Sequence, residues 1–265
     1  MATLDGQIVY ITGAAAGLGA ALAAAAVARG AAVALLDRDA DGVRARADEL
    51  AAAGGRVAWE QADVTDPGAV TAAVDGFRAA LGPCDVLINN AGITHIGAFR
   101  PEDVAAIRGV IEVNLLGAIH CTAACLPDIT ARRGGIVAVS SVAGFAPLLG
   151  RSGYAASKHA LHGFFDTLRL ELRETGVRVC IVCPSFIATG IRAHAAPAGD
   201  DENGRGRTVG AEADPARVAE QIYDGYLAGH SLLPVGRVAH LSRWLMRFAP
   251  RVYERLMLAR IRDER

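Results

Sequence analysis

Tyr154 and Lys158 stand four residues apart in the stretch YAASK, and Lys158 is the only lysine in the chain. The other 26 of the 27 basic residues are arginine. A phenol followed by an ammonium at this spacing can act as a general acid and base. Free tyrosine, with a pKa near 10, is almost wholly protonated at neutral pH. It accepts a proton only where its surroundings favour the phenolate. Positions i and i+4 share one face of a helix, so the ammonium of Lys158 can stand close to the Tyr154 phenol and favour its ionised form. An ammonium is compact and carries three donors, whereas a guanidinium is a broader planar fork. A lone lysine among arginines therefore marks a position where the smaller group is needed. Read instead as a surface charge on an amphipathic helix, it would be unrelated to the other residues singled out below.

A second set lies in the turn TGAAAGLG, Thr12 to Gly19. Gly13, Gly17, Leu18 and Gly19 follow an apolar strand-like run and open a helical one. Glycines there let the backbone turn sharply and approach a pyrophosphate, which then rests on the helix N-terminus. Asp37 follows at the end of the second strand, 18 residues past Gly19. A carboxylate there can accept hydrogen bonds from adenosine ribose hydroxyls and would repel a 2′-phosphate, which favours NAD over NADP. Arg38 argues the other way if it reaches a phosphate, and is neutral in the matter if it is a solvated loop charge.

The scaffold for these residues is legible as alternation. Near-continuous apolar strands are expected at 7–12, 32–36, 56–60, 85–89, 135–140 and 177–183, with a short seventh at 231–234. Helices are expected at 17–29, 39–53, 66–81, 102–126 and 153–175. Strands apolar on both faces, each followed by a helix, imply a doubly wound α/β domain: one parallel sheet with helices on both faces. At 265 residues and 52% hydrophobic content the chain can bury a large core and still form a single domain, 1–265.

Formal charge is −1, which gives no electrostatic case for a nucleic-acid partner. The five cysteines, an odd number, fit a reducing cytoplasm better than a disulfide framework. Cys180 and Cys183 fall on a strand, where i and i+3 point to opposite faces and cannot share an ion. Cys121 and Cys125 read as buried structural thiols. No metal site is expected. Residues 8–28 carry no charge, but alanine and glycine dominate them and no basic segment precedes them, so neither a membrane span nor a signal peptide is expected.

Taken together, these features resemble the short-chain dehydrogenase/reductase family. The resemblance covers about residues 5 to 190. After the glycine turn come Asp63–Val64, NNAG at 89–92, Asn114 in VIEVNLLG, Ser140–Ser141, YAASK, and PSFIAT at 184–189. It implies a Rossmann-type fold and hydride transfer between NAD and an alcohol or ketone. The catalytic tetrad would be Asn114, Ser141, Tyr154 and Lys158, with Ser141 chosen because it lies 13 positions before the tyrosine. Tyr154 would take the alcohol proton and Ser141 would donate to the substrate oxygen. Asn114 would hold a water chain, and Lys158 would bond the nicotinamide ribose. Asp63 would meet the adenine, Val64, Asn90 and Ile187 would line the cofactor, and Thr189 would reach the carboxamide. The family usually has Pro-Gly where this chain has Pro184–Ser185. The added hydroxyl there would either narrow the pocket or bond the substrate.

Three regions stay open. Residues 190–213, rich in Gly, Asp and Arg, read as a substrate lid or as a surface insertion. His159 and His162 read as surface or interface groups turned away from the Tyr154–Lys158 stripe, while His95 stands near the substrate pocket's opening. The arm at 237–265 carries an apolar stripe (Leu241, Trp244, Leu245, Phe248, Val252, Leu256, Ile261) beside Arg243, Arg247, Arg251, Arg255, Arg260 and Arg262. It either covers the core or a subunit contact, or makes a weak membrane-surface contact that admits greasy substrates. Leu161, Phe164, Phe165, Leu168, Leu170 and Leu172 on the 153–175 helix lead us to expect a homodimer or homotetramer. The overall expectation is a cytoplasmic NAD-dependent enzyme for a bulky, mostly apolar secondary alcohol. The rivals are an NADPH-dependent ketoreductase, such as one for 3-oxoacyl groups, and a dinucleotide-sensing scaffold.

Overall fold

The computed structural model describes residues 3–187 and 212–262. Seven parallel strands form one sheet in the order β3-β2-β1-β4-β5-β6-β7. They are β1 (Ile8–Thr12), β2 (Ala32–Asp37), β3 (Val57–Gln61), β4 (Val86–Asn89), β5 (Gly135–Val139), β6 (Arg178–Pro184) and β7 (Leu232–Val235). The central strands are buried along their whole length, as their unbroken apolar sequences require. Parallel pairing obliges the chain to cross back by a helix after each strand. The crossovers are α1 (Gly17–Ala28), α2 (Ala40–Ala52), α3 (Pro67–Ala80), α4 (Val104–Ile111), α5 (Ala118–Ala131), α6 (Ser152–Glu171) and α7 (Pro215–Leu227).

Local sequence explains the helix starts. The carboxylates of Asp39, Asp66 and Asp214 accept from backbone N–H groups of the first turns of α2, α3 and α7, and proline follows two of them at N1. At α1 the capping position is Ala16, which offers no side-chain acceptor. The first N–H groups of α1 thus lack a side-chain cap.

Two apolar layers sandwich the sheet. One includes Tyr10, Phe77, Phe165 and Cys183; the other includes Ile11, Leu22, Tyr223 and Cys180. Cys180 and Cys183 thus face opposite sides of the sheet, as the strand period dictates. All five thiols are buried and free. Leu161, Phe165 and Leu168 of α6 and Leu172 directly after it are buried, leaving Leu170 exposed and Phe164 half-buried. The helix therefore has less apolar surface to spare than its sequence suggests.

The helix expected at 102–126 is longer and irregular. A π-helical turn at Glu112–Gly117 separates α4 from α5. The run 101–131 is long and apolar enough to cross a bilayer (mean hydropathy 1.5), yet it lies in the fold against α3 and α6. Beyond β7, α8 (Arg237–Phe248) and α9 (Pro250–Arg262) form the arm. Its inner residues Leu245 and Tyr253 pack against Ala146, Val142 and Phe145, and the Tyr253 hydroxyl donates to the Pro147 carbonyl at 3.1 Å.

Candidate active site

Strand order reverses between β1 and β4: the chain builds outward through β2 and β3, then returns to start β4 on the other side of β1. A crevice opens outside the carboxyl ends of strands at such a switch point. A cleft of about 700 Å³ lies there. Gly13, Gly17, Leu18, Gly19, Asp37 and Arg38 line one part of it, and Val64 and Asn90 its middle. Ser141, Tyr154, Lys158, Ser185 and Ile187 line the rest.

The glycine turn is held from two sides. Gly13 and Gly17 have positive φ (66° and 56°), a region that favours glycine. A Cβ on Gly19 would stand 1.9 Å from the Gly13 carbonyl oxygen and 2.7 Å from Asn90 Nδ2, so only glycine fits. Asn90 Nδ2 donates to the carbonyls of Thr12 and Gly13, both at 3.0 Å. Asp37 Oδ2 accepts from the Ala15 N–H at 2.9 Å, and its Oδ1 from the Asp39 N–H at 3.1 Å. The tight cradle, the helix N-terminus without a side-chain cap and the carboxylate at the end of β2 fit the pyrophosphate and ribose of a dinucleotide.

Asp63 faces differently from its two neighbours. Ala62 and Val64 line the cleft, but Asp63 between them is exposed, since neighbouring residues of an extended segment face opposite ways. Its carboxylate accepts from the N–H and hydroxyl of Thr65 at 2.9 and 2.8 Å. Thr189 and nearly all of the 190–213 segment lie outside the described residues. The flanking residues are placed: Ile187 pairs with Ala213 in a parallel bridge, and the Ala213 N–H donates to Phe186.

At the other end, the alternation after β5 separates the two serines. Ser140 is buried, and its hydroxyl meets His162 Nε2 at 3.0 Å. The Ser141 hydroxyl accepts from the Ala143 N–H at 3.1 Å and hydrogen-bonds Tyr154. Burial pushes the Tyr154 phenol above its ordinary value; the Ser141 hydrogen bond and the charge of Arg151 act downward. Lys158 is buried on the same face of α6. Its Nζ lies 5.7 Å from the Tyr154 ring centroid and donates to the Val139 carbonyl at 2.8 Å. The shared helix face brings the two together, but the buried ammonium takes the nearest acceptor at the end of β5. Burial lowers the Lys158 pKa to about 8.

Asn114 does not line the cleft; it braces the wall behind. It accepts from the Ile93 N–H (2.8 Å), donates to the Ile93 carbonyl (3.0 Å) and donates to the Ser157 hydroxyl (2.9 Å). A Cβ on Gly92 would lie 3.2 Å from its Oδ1 and 3.6 Å from Lys158 Nζ, which places Asn114 beside the ammonium.

The reading of His162 was wrong. It stands four residues after Lys158 and so remains on the same face. It lies beneath the site, bonded to Ser140 and 3.5 Å from Cys183 Sγ, with its pKa lowered to about 4 chiefly by burial. His159 is exposed. His95 is fully buried, with Nε2 3.6 Å from Asp103 Oδ1. Arg151 was missed altogether. It is buried, lines the cleft beside Tyr154 and donates to the Thr94 hydroxyl at 2.9 Å. Its position directly before α6, three residues ahead of the tyrosine, was the available signal.

Comparison with known proteins now has a geometry to refer to. A family model described as short chain dehydrogenase matches residues 7–199. The chain is 33% identical over 279 residues to dehydrogenase/reductase SDR family member 7B of Rattus norvegicus, covering all of this chain and 84% of that protein. It is 37% identical over 189 residues to ketoacyl reductase HetN of Nostoc sp., covering 71% of this chain and 66% of that protein. The crystal structure of a short-chain dehydrogenase/reductase from Burkholderia phymatum in complex with NAD superposes with a TM-score of 0.85 at 28% identity, covering 92% of this chain and 94% of that one. Matches of this length and identity, on one parallel sheet, lead to a single conclusion: the chain belongs to the short-chain dehydrogenase/reductase family and is an oxidoreductase.

Proposed function

We propose that the protein transfers a hydride between NAD and a bulky, mostly apolar secondary alcohol or its ketone. The observation that carries this reading is the shared cleft, with the glycine cradle and Asp37 in one part and the Tyr154–Ser141 contact over buried Lys158 in another. Bound there, NAD supplies the ring carbon that takes up or returns the hydride. In oxidation Tyr154 accepts the hydroxyl proton while Ser141 holds the substrate oxygen. Lys158 supplies a compact charge beside the phenol, and Asn114 and Ser157 brace the wall behind it. Ile93, Val113, Leu148 and Phe186 give the cleft apolar wall, which suits a lipophilic alcohol. Asp37 favours NAD through ribose hydroxyls and charge repulsion of a 2′-phosphate. A second reading, an NADPH-dependent ketoreductase, is supported by exposed Arg38 on the cleft lining and by the name of the Nostoc relative. Assembly into a dimer or tetramer belongs to the same proposal, supported by exposed Leu170 on α6 and exposed Val104 and Leu116 along the helical run 101–131.

A turnover screen of secondary alcohols with NAD should find activity that Tyr154→Phe lowers by roughly two orders of magnitude or more, with NADH affinity nearly unchanged. Substantial turnover in the variant would remove Tyr154 from its role.

Asp37→Ala should weaken NAD binding by about tenfold or more through the lost charge-assisted bonds. It should also raise the relative affinity for NADP. An unaltered NAD/NADP preference would place the discrimination elsewhere.

Lys158→Arg keeps a positive charge but not the small head that reaches the Val139 carbonyl. A displacement of about 1 Å can cost on the order of a hundredfold in rate, so kcat/KM should fall at least that far and its pH profile move upward. A variant within about fivefold of the parent across the pH range would show that charge alone suffices at this position.

Light scattering at micromolar concentration should give twice or four times the 27.4 kDa chain mass. A monomer mass would overturn the assembly.

A further inference from the structure

Six of the exposed large apolar residues gather on the arm: Leu241, Trp244 and Phe248 on α8, and Val252, Leu256 and Leu258 on α9. Trp244 and Phe248 are 57% and 66% exposed, although the inner face of the same helix is buried at Ala239, Ser242 and Leu245. The arm already has its intramolecular contact, so the outer apolar residues are surplus to folding. Exposed apolar residues gathered in this number mark an interaction surface. Leu241, Trp244 and Phe248 recur at helical spacing on one side, with the two rings 5.8 Å apart.

Charge identifies the partner. Residues 237–262 hold seven arginines and one acid, Glu254, in a chain whose net charge is −1. Arg243, Arg247, Arg251 and Arg255 are exposed, and among the described residues no carboxylate pairs with them. The Arg247 guanidinium lies 5.8 Å from the Phe248 ring centroid, so the basic and apolar groups share one patch. A second copy of the chain fits poorly. A two-fold contact would set this patch against itself and face arginine with arginine. An anionic bilayer meets both demands: aromatic and aliphatic groups enter the boundary between headgroups and acyl chains while arginines meet the phosphates.

We infer that α8 and α9 form a docking surface for an anionic phospholipid bilayer, with Trp244 and Phe248 inserted and the flanking arginines on the headgroups. The inference does not depend on the substrate. The test uses the full chain carrying Trp59→Phe, which leaves Trp244 as the only tryptophan. Vesicles of phosphatidylcholine with about 30 mol % phosphatidylserine are compared with phosphatidylcholine alone, at low and high salt. The protein should sediment with the anionic vesicles, less so at high salt, and brominated lipid should quench Trp244. In the otherwise native chain, the pairs Trp244→Ser/Phe248→Ser and Arg243→Glu/Arg247→Glu should each lower partitioning by about tenfold or more, with an unchanged melting temperature. Because all four side chains are exposed, both variants should fold. Failure to sediment, equal binding to neutral vesicles, or unaltered binding in both variants would overturn the inference. So would a fall of the assembly to monomer mass in the Trp244/Phe248 pair with vesicle binding intact, which would make the arm a subunit contact.

Discussion

Where the strand order reverses, the Asn90 side chain donates to the carbonyls of Thr12 and Gly13, while the N–H groups of Asn90 and Ala91 donate to the Thr12 hydroxyl, each at 3.0 Å. This exchange ties the end of β1 to the residues just beyond β4 across the point where no helix can cover the sheet. Everything on either side depends on it. It fixes the Gly13 carbonyl against which Gly19 packs, and so the direction in which α1 presents its N-terminus. It also sets where the chain leaves β4, and through Ile93 that position reaches Asn114 and the wall behind Lys158. The two halves of the cleft are therefore referenced to a single hydrogen-bond cluster.

The part of the cleft around Tyr154 shows the opposite economy. Lys158 and Tyr154 are both buried, and burial disfavours the charged form of each. The site holds these strained tendencies in check with short-range polar contacts: Ser141 to the phenol, Val139 to the ammonium, and Arg151 as a further buried charge anchored by Thr94. Ser140 faces the other way and joins His162 in the layer beneath, so two adjacent serines serve two different environments because an extended backbone turns them apart.

Much of this was legible because it follows from period and punctuation. Unbroken apolar strands, the glycine turn and the ordering of short motifs fixed the sheet, the cleft and most of its lining to within a residue or two. The failures have physical causes. His162 follows Lys158 by one helical turn, so it stays on the inner face against Ser140 and Cys183 rather than turning to the surface. The π-helical turn at 112–117 carries no compositional signature, because one extra residue per turn changes the bonding and not the polarity. Arg151 has a local signal in its place directly before α6, but its burial depends on tertiary contacts such as the Thr94 hydroxyl.

The rarity of lysine has a practical side. The cleft wall carries the molecule's one side-chain amine, buried yet accessible from the cleft, and burial lowers its pKa to about 8. At mildly alkaline pH much of it is the free base, the form that acylating and aldehyde reagents attack. Apart from the chain terminus, amine-directed chemistry has no other side-chain target in this protein. A single covalent tag, read by mass, would thus serve as a reporter of whether the cleft is open or filled, a site-specific label that most proteins acquire only by engineering.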